Sequence, residues 1–245
     1  MNSLKSLLPL SALLITSHAM AAEETPNGQW SGEGELGYVA ARGNTETETV
    51  TGKLTFGLKT ENWTHELGLS ALRTIAEDPD TGEEEETADR YQVTGQSNYR
   101  FDERRYIFGA FRYEEDQFSG YENQSALTAG YGHAFYDSKE LMLKLEIGAG
   151  QRWSELDTGE EIEESIVRLR GDHAWQIADN ARWTNELLVE SGEDNTFSEF
   201  STGLKFDLNS KLAFKFAYVV RENSDVPADR EKRDTLTTIN LVFAF

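Results

Sequence analysis

The segment from Thr235 to Phe245 alternates so that Thr235, Thr237, Ile239, Leu241, Phe243 and Phe245 share one face of a strand, and the last of them is an aromatic. Successive side chains of a strand point to opposite faces, so this face is apolar from Ile239 onward. A strand that closes a water-soluble sandwich has no reason to end the polypeptide on its most apolar face. A strand that closes an outer-membrane barrel does, because its outer face meets lipid and an aromatic ring settles at the interface. If that reading holds, the same alternation must recur along the whole chain.

The other end predicts export. Residues 1–21 carry Lys5 and no acidic residue, then an apolar stretch from Leu7 to Ile15, then Ala19-Met20-Ala21. This is the pattern of a secretory signal peptide cleaved near Ala21-Ala22, with an apolar part too short to span a bilayer as a helix. Residues 22–29 are then a short periplasmic segment and 30–245 the barrel. No run of ~20 apolar residues follows, which excludes a helical inner-membrane protein. The absence of Cys removes disulfide frameworks, thiolate metal sites and Cys nucleophiles. The mean hydropathy of −0.58 is no objection, since lipid-facing and water-facing residues alternate in a barrel and the average hides the apolar face.

Alternation predicts an all-β, transmembrane antiparallel barrel of about twelve strands. The first places Trp30, Leu36, Tyr38 and Ala40 against Ser31, Glu33 and Glu35, and Gly43-Asn44 then supplies a tight turn. The second places Val50, Leu54, Phe56 and Leu58 against Thr49, Lys53 and Lys59. The third carries Trp63, Leu67, Leu69 and Ile75, and the fourth Tyr91, Val93, Tyr99 and Phe101 against Gln92, Thr94, Gln96, Asn98 and Arg100. The fifth, at about 105–115, has aromatics on both parities and its faces stay open. Strands six to twelve repeat the pattern, as in Leu141, Leu143, Leu145 and Ile147 or Phe214, Phe216 and Tyr218. Links after even-numbered strands are short, and those after odd-numbered strands are mostly longer and more acidic, which is the periplasmic and outward asymmetry of such barrels. Trp63, Tyr99, Phe101, Phe135, Trp175, Trp183, Phe206, Leu212 and Phe245 fall near the short-turn side and predict an interfacial girdle.

Trp30-Ser31-Gly32, Leu36-Gly37 and Gly43-Asn44-Thr45 resemble the opening of a domain-of-unknown-function family described as salt-induced outer-membrane proteins, and the likeness runs from about Trp30 to Phe245. The aromatic ending likewise resembles the C-terminal signal of outer-membrane barrels, which implies the barrel assembly machinery as a partner through the Phe245 strand. Membership implies an outer-membrane barrel of poorly defined activity, linked to salt or ionic stress. It carries over no catalytic residue.

Charge defines the candidate site. Beyond residue 21, 22 basic residues stand against 44 acidic ones, a net charge of −22, which argues against nucleic acid as a partner. The inward parity nevertheless holds mixed charge, and a midplane Lys or Arg on the lipid side would cost roughly 2–4 kcal/mol. Lys144, Arg152, Arg168, Arg170 and Arg182, on three adjacent strands, form a possible basic stripe on one lumen wall, with Glu146 and Glu186 among the carboxylates that face it. A narrow pore for small anions and a lumen closed by ion pairs are both compatible with this set.

Other chemistry is thin. His65, His133 and His173 share faces with Trp63, Phe135 and Trp175 and read as interfacial rings; Gly-x-Ser-x-Gly and His-Glu-x-x-His do not occur. Acidic loops at 77–89 and 155–164 read as solvated surface; Asp78, Asp80 and Glu83 are a weak divalent-cation candidate lacking the later ligands of a calcium loop. No cofactor is expected. The sequence thus predicts a monomeric, non-enzymatic barrel in the outer membrane of a Gram-negative cell, in contact with its lipids and lipopolysaccharide. The alternatives are a lipid or lipid A hydrolase and an adhesive barrel acting through its acidic loops.

Overall fold

The computed structural model describes residues 28–41, 47–78, 81, 83–116, 119–227 and 230–245. The expected signal peptide, its cleavage point, the Gly43-Asn44 turn and Asp80 lie outside the described residues. Twelve strands follow in order: β1 (Gln29–Ala41), β2 (Thr47–Lys59), β3 (Trp63–Glu77), β4 (Glu84–Arg100), β5 (Arg105–Asp116), β6 (Tyr121–Asp137), β7 (Leu141–Leu156), β8 (Glu161–Ala178), β9 (Ala181–Ser191), β10 (Thr196–Asp207), β11 (Leu212–Asn223) and β12 (Arg233–Ala244). Each pairs antiparallel with its neighbours in the chain, and β12 pairs with β1, so the sheet closes into a barrel.

Alternation sets what each face meets. Leu127, Ile147, Leu169, Phe216 and Ile239 are exposed, while their chain neighbours Ala126, Glu146, Arg168, Ala217 and Asn240 are buried. Charge inside and apolar surface outside inverts the order of a water-soluble protein. Only a hydrocarbon surrounding makes that inversion favourable. The girdle expected from sequence is on the outer face: Trp63 meets Tyr99 at 5.1 Å, Tyr99 meets Phe101 at 5.7 Å, and Trp175 pairs in register with Trp183.

The fifth strand resolves cleanly. Tyr106, Phe108, Arg112, Glu114 and Asp116 are buried in the lumen, and Ile107 and Phe111 are exposed outside. Its inward rings need space, which glycine provides: a methyl at Gly132 on β6 would lie 2.2 Å from the Tyr106 ring, and one at Gly148 on β7 would lie 2.8 Å from that of Phe108.

The acidic loops require correction. Glu77 closes β3, Glu84, Glu85, Glu86 and Asp89 belong to β4, and the second loop shrinks to residues 157–160. Strands here run to 18 residues, well past the ~9–11 that a tilted span needs. Above the hydrocarbon no apolar face is required, so charged residues continue the ladders through cross-strand pairs such as Arg73–Glu86 at 2.7 Å.

Closure is the shortest ladder. The β1–β12 register runs only from Glu33 opposite Ala244 to Gly37 opposite Asn240, extended at the short-turn end by mutual backbone bonds between Gly32 and Phe245 at 2.8 and 2.9 Å. Both strands continue past Gly37 and Asn240, paired to β2 and β11 respectively.

Candidate functional site: the lumen

One side of the lumen is a dry network of charge. On β8, Arg168 donates through Nη1 to Glu146 on β7 at 2.7 Å and through Nη2 to Gln96 on β4 at 3.1 Å, with its guanidinium 4.7 Å above the Phe108 ring. Glu146 also accepts from Tyr106 at 2.9 Å and from Gln96 at 2.7 Å, so its lone pairs are filled from three strands besides its own. Arg152 is fully buried: it donates to Glu164 and to the backbone carbonyls of Glu190 and Asn195. Arg112 spans the barrel from β5 to Glu190 on β9 at 2.5 Å. Arg221 reaches from β11 to Glu114 at 2.5 Å and Glu199 at 2.9 Å. Between Arg112 and Arg221 lies the Phe197 ring, 4.5 and 5.0 Å from the two guanidinium carbons and 1% exposed.

Such pairs are favourable only when geometry and extra hydrogen bonds offset the desolvation of both ions. Here Arg112–Glu190, Arg221–Glu114 and Arg168–Gln96 cross between strands that are not neighbours. They therefore hold the barrel cross-section closed as much as they neutralise charge.

The rest of the lumen is less tightly filled. Lys53 on β2 and Glu66 on β3 are exposed, and the Glu186 side chain is 50% exposed. Lys53 has no carboxylate within salt-bridge distance among the described residues, although Glu186, Glu35, Glu199 and Glu66 all act on it electrostatically. These residues border two cavities. One, of about 200 Å³ at the short-turn end, is lined by Lys59, Glu66, Arg100, Lys144, Arg170 and Asp172. The other, of about 160 Å³ higher up, is lined by Glu35, Lys53, Arg90, Glu186, Glu199 and Lys215. Arg170 joins them, bonded to Asp172 at 2.9 Å and 4.0 Å from Glu186. Lys205–Glu33 at 2.6 Å and Lys215–Glu35 at 2.9 Å tie β10 and β11 to β1 across the closing strand β12.

The candidate stripe is thus divided. Arg152 and Arg168 belong to the dry network with Glu146, Lys144 and Arg170 border the lower cavity, and Glu186 borders the upper one. Arg182 sits at the short-turn end, donating to the Lys139 carbonyl at 3.2 Å and to Gln176 at 3.3 Å. Sequence reasoning missed Arg112, Glu114 and Asp116 because β5 had no assigned face. Their own period-two charge was the available signal, since that parity cannot face lipid. Asp78 accepts from the Thr81 N–H at 3.0 Å and Glu83 accepts through its carbonyl from the Asp78 N–H at 2.8 Å, which makes this a turn; among the described residues no His, Asp and Glu cluster is arranged for a metal.

A family model described as "Protein of unknown function, DUF481" matches residues 34–245. The chain belongs to the DUF481 family. By sequence the chain is similar to the uncharacterized protein YdiY of Escherichia coli (strain K12), 29% identical over 215 residues, covering 86% of this chain and 82% of YdiY. In fold, this DUF481 barrel resembles an outer membrane channel from Pseudomonas putida F1, with a TM-score of 0.52, 12% identity, and coverage of 92% and 98% of the two chains. It also resembles the NanC porin, with a TM-score of 0.50, 10% identity, and coverage of 87% and 97%. These likenesses show a shared outer-membrane barrel fold; function has to be argued from the lumen.

Proposed function

We propose that this DUF481 protein is a narrow, eccentric ion channel of the outer membrane, with one side of its lumen plugged by the arginine network and the other open to water. The observation that carries the proposal is the split in burial: Arg152, Arg168, Arg112 and Arg221 are buried in ion pairs, while Lys53, Glu66 and Glu186 stay exposed inside the same barrel. A ring of charged side chains at a constriction sets the sign of the ion admitted. The upper cavity sets Glu35, Glu186 and Glu199 against Lys53, Arg90 and Lys215, so the expected selectivity is weak and moves with the charge of Lys53.

Export by the predicted signal peptide, folding through the Phe245 strand, action as a single copy without enzymatic chemistry, and the tie to ionic stress suggested by the sequence resemblance all belong to this reading. In it the short-turn end faces the periplasm. Purified protein in planar bilayers tests it. Small discrete conductance steps with weak ion selectivity are expected, whereas a membrane that stays silent despite inserted, heat-modifiable protein contradicts the channel.

A further inference from the structure

The lumen does not account for the polar groups on the lipid-facing side. On that face His65 on β3 lies opposite Ser97 on β4, with Nδ1 and Oγ 2.8 Å apart, and its ring stacks on Trp63 at 5.6 Å. Next to them Ser97 is opposite Gly109 on β5, and Gly95 is opposite Phe111. A methyl at Gly95 or at Gly109 would meet no atom within 4 Å, so here the barrel wall is bare backbone. The result is an outward groove of about 640 Å³, walled by Phe56, Leu67, Phe111 and Leu127, with His65 and Ser97 at one end.

This groove is continuous with the surface that meets the membrane, so its occupant is a membrane lipid, and its polarity says which part lies where. Trp63 and Tyr99 belong to the girdle at the headgroup level. His65 and Ser97 are one outward position deeper on their strands, about 5 Å along a tilted strand, the depth of ester linkages. If the Ser97 hydroxyl donates to Nδ1, the imidazole keeps an Nε2–H; if Nδ1–H donates to Oγ, the hydroxyl proton is left. Either arrangement leaves one donor for an ester carbonyl. We infer that the groove binds an inner-leaflet glycerophospholipid, its ester carbonyl accepting from the His65–Ser97 pair and one acyl chain filling the space over Gly95 and Gly109. The leaflet rests on the orientation proposed above; the site itself does not depend on conduction. Binding, rather than ester cleavage, follows from the surroundings: among the described residues no carboxylate or amide orients His65, and the flanking backbone N–H groups are spent on the ladders.

Native mass spectrometry from nanodiscs of palmitoyl-oleoyl phosphatidylethanolamine tests this. One lipid per chain should survive activation that strips the rest, and its diether analogue should be retained at least threefold less. Gly95→Leu with Gly109→Leu, whose Cβ atoms would meet nothing within 4 Å, fills the groove from the lipid side and should abolish retention. Gly52→Leu, with an equally free Cβ but in a neighbouring groove without the polar pair, should leave it intact. His65→Phe with Ser97→Ala should behave like the diether lipid. Retention unchanged in the doubly filled variant, or no lipid held by the parent, overturns the site, and lysolipid appearing in the spectrum overturns binding without cleavage. Retention of lipopolysaccharide in place of phospholipid, from native outer-membrane fragments, overturns the leaflet assignment and leaves the conductance measurement untouched. Heat-modifiable migration of each variant shows that the barrel has closed.

Discussion

Arg168 leans across the strand ladder to Glu146, 2.7 Å away, although its partner in register is Gly148, over which the Phe108 ring lies. Glu146 in turn is opposite Arg170, which turns instead to Asp172. A stripe that looked basic in one dimension is therefore largely paired in three: Arg152, Arg168 and Arg170 each hold a carboxylate, while Lys144 borders the lower cavity.

Breaking this network from one side should be costly. Glu146→Leu leaves Arg168 buried without its carboxylate, and about 3–5 kcal/mol of stability should be lost, read as a lower urea midpoint for refolded protein in liposomes. The double change Glu146→Leu with Arg168→Met should recover most of it. Equal losses in the single and double variants would contradict a mutual pair.

Lys53 makes the opposite prediction. It is exposed and without a salt bridge among the described residues, so Lys53→Gln should leave the unfolding free energy in urea within about 0.5 kcal/mol of the parent, as for a surface position. The same change should raise cation over anion permeability, measured from reversal potentials in a salt gradient, because the carboxylates that act on Lys53 lose one of the positive charges facing them.

The short ladder between β1 and β12 should open first. Amides of residues 236–239 that face β1 lie beyond the last register pair, so they should exchange hydrogen faster than amides at the same height in the β6–β7 ladder. Mass spectrometry of deuterated peptides measures this; uniform protection around the barrel would contradict it.

In the turn between β4 and β5, Asp102 is held at a pKa of about 2. The Arg104 N–H at 2.9 Å is the largest cause, followed by the Arg105 guanidinium at 2.6 Å and the Arg105 N–H at 2.8 Å. All three favour the carboxylate over an unfolded value near ~3.9. A depressed folded pKa gives stability that is present above the unfolded pKa and lost as pH falls through the folded one. The parent should therefore weaken between about pH 4 and pH 2 relative to Asp102→Asn, in which this dependence is missing.

What was legible in sequence follows from what lipid permits. Ile239, Leu241 and Phe243 announce their face because a charged residue there is expensive, and the same penalty marks Arg168 and Glu190 as inward. The faces of β5 stayed hidden because Tyr106 and Phe108 are aromatics packed on glycines of other strands, a contact that leaves no trace in β5 itself. Glu84, Glu85 and Glu86 read as a loop in sequence because above the membrane a strand loses its apolar face. The charge partners were not legible at all: Arg112 with Glu190 and Arg221 with Glu114 join strands that only barrel closure brings together.

Because the chain has no cysteine, the eccentric passage can be tested with single introduced thiols. Lys53→Cys places one on the open wall, and Ser154→Cys places one among the buried residues beside Arg152. A positively charged methanethiosulfonate reagent added to a conducting bilayer should reduce the current through Lys53→Cys and leave Ser154→Cys unchanged. Block of Ser154→Cys with no effect at Lys53→Cys would put the water-filled side where the structure puts the plug, and would contradict the account.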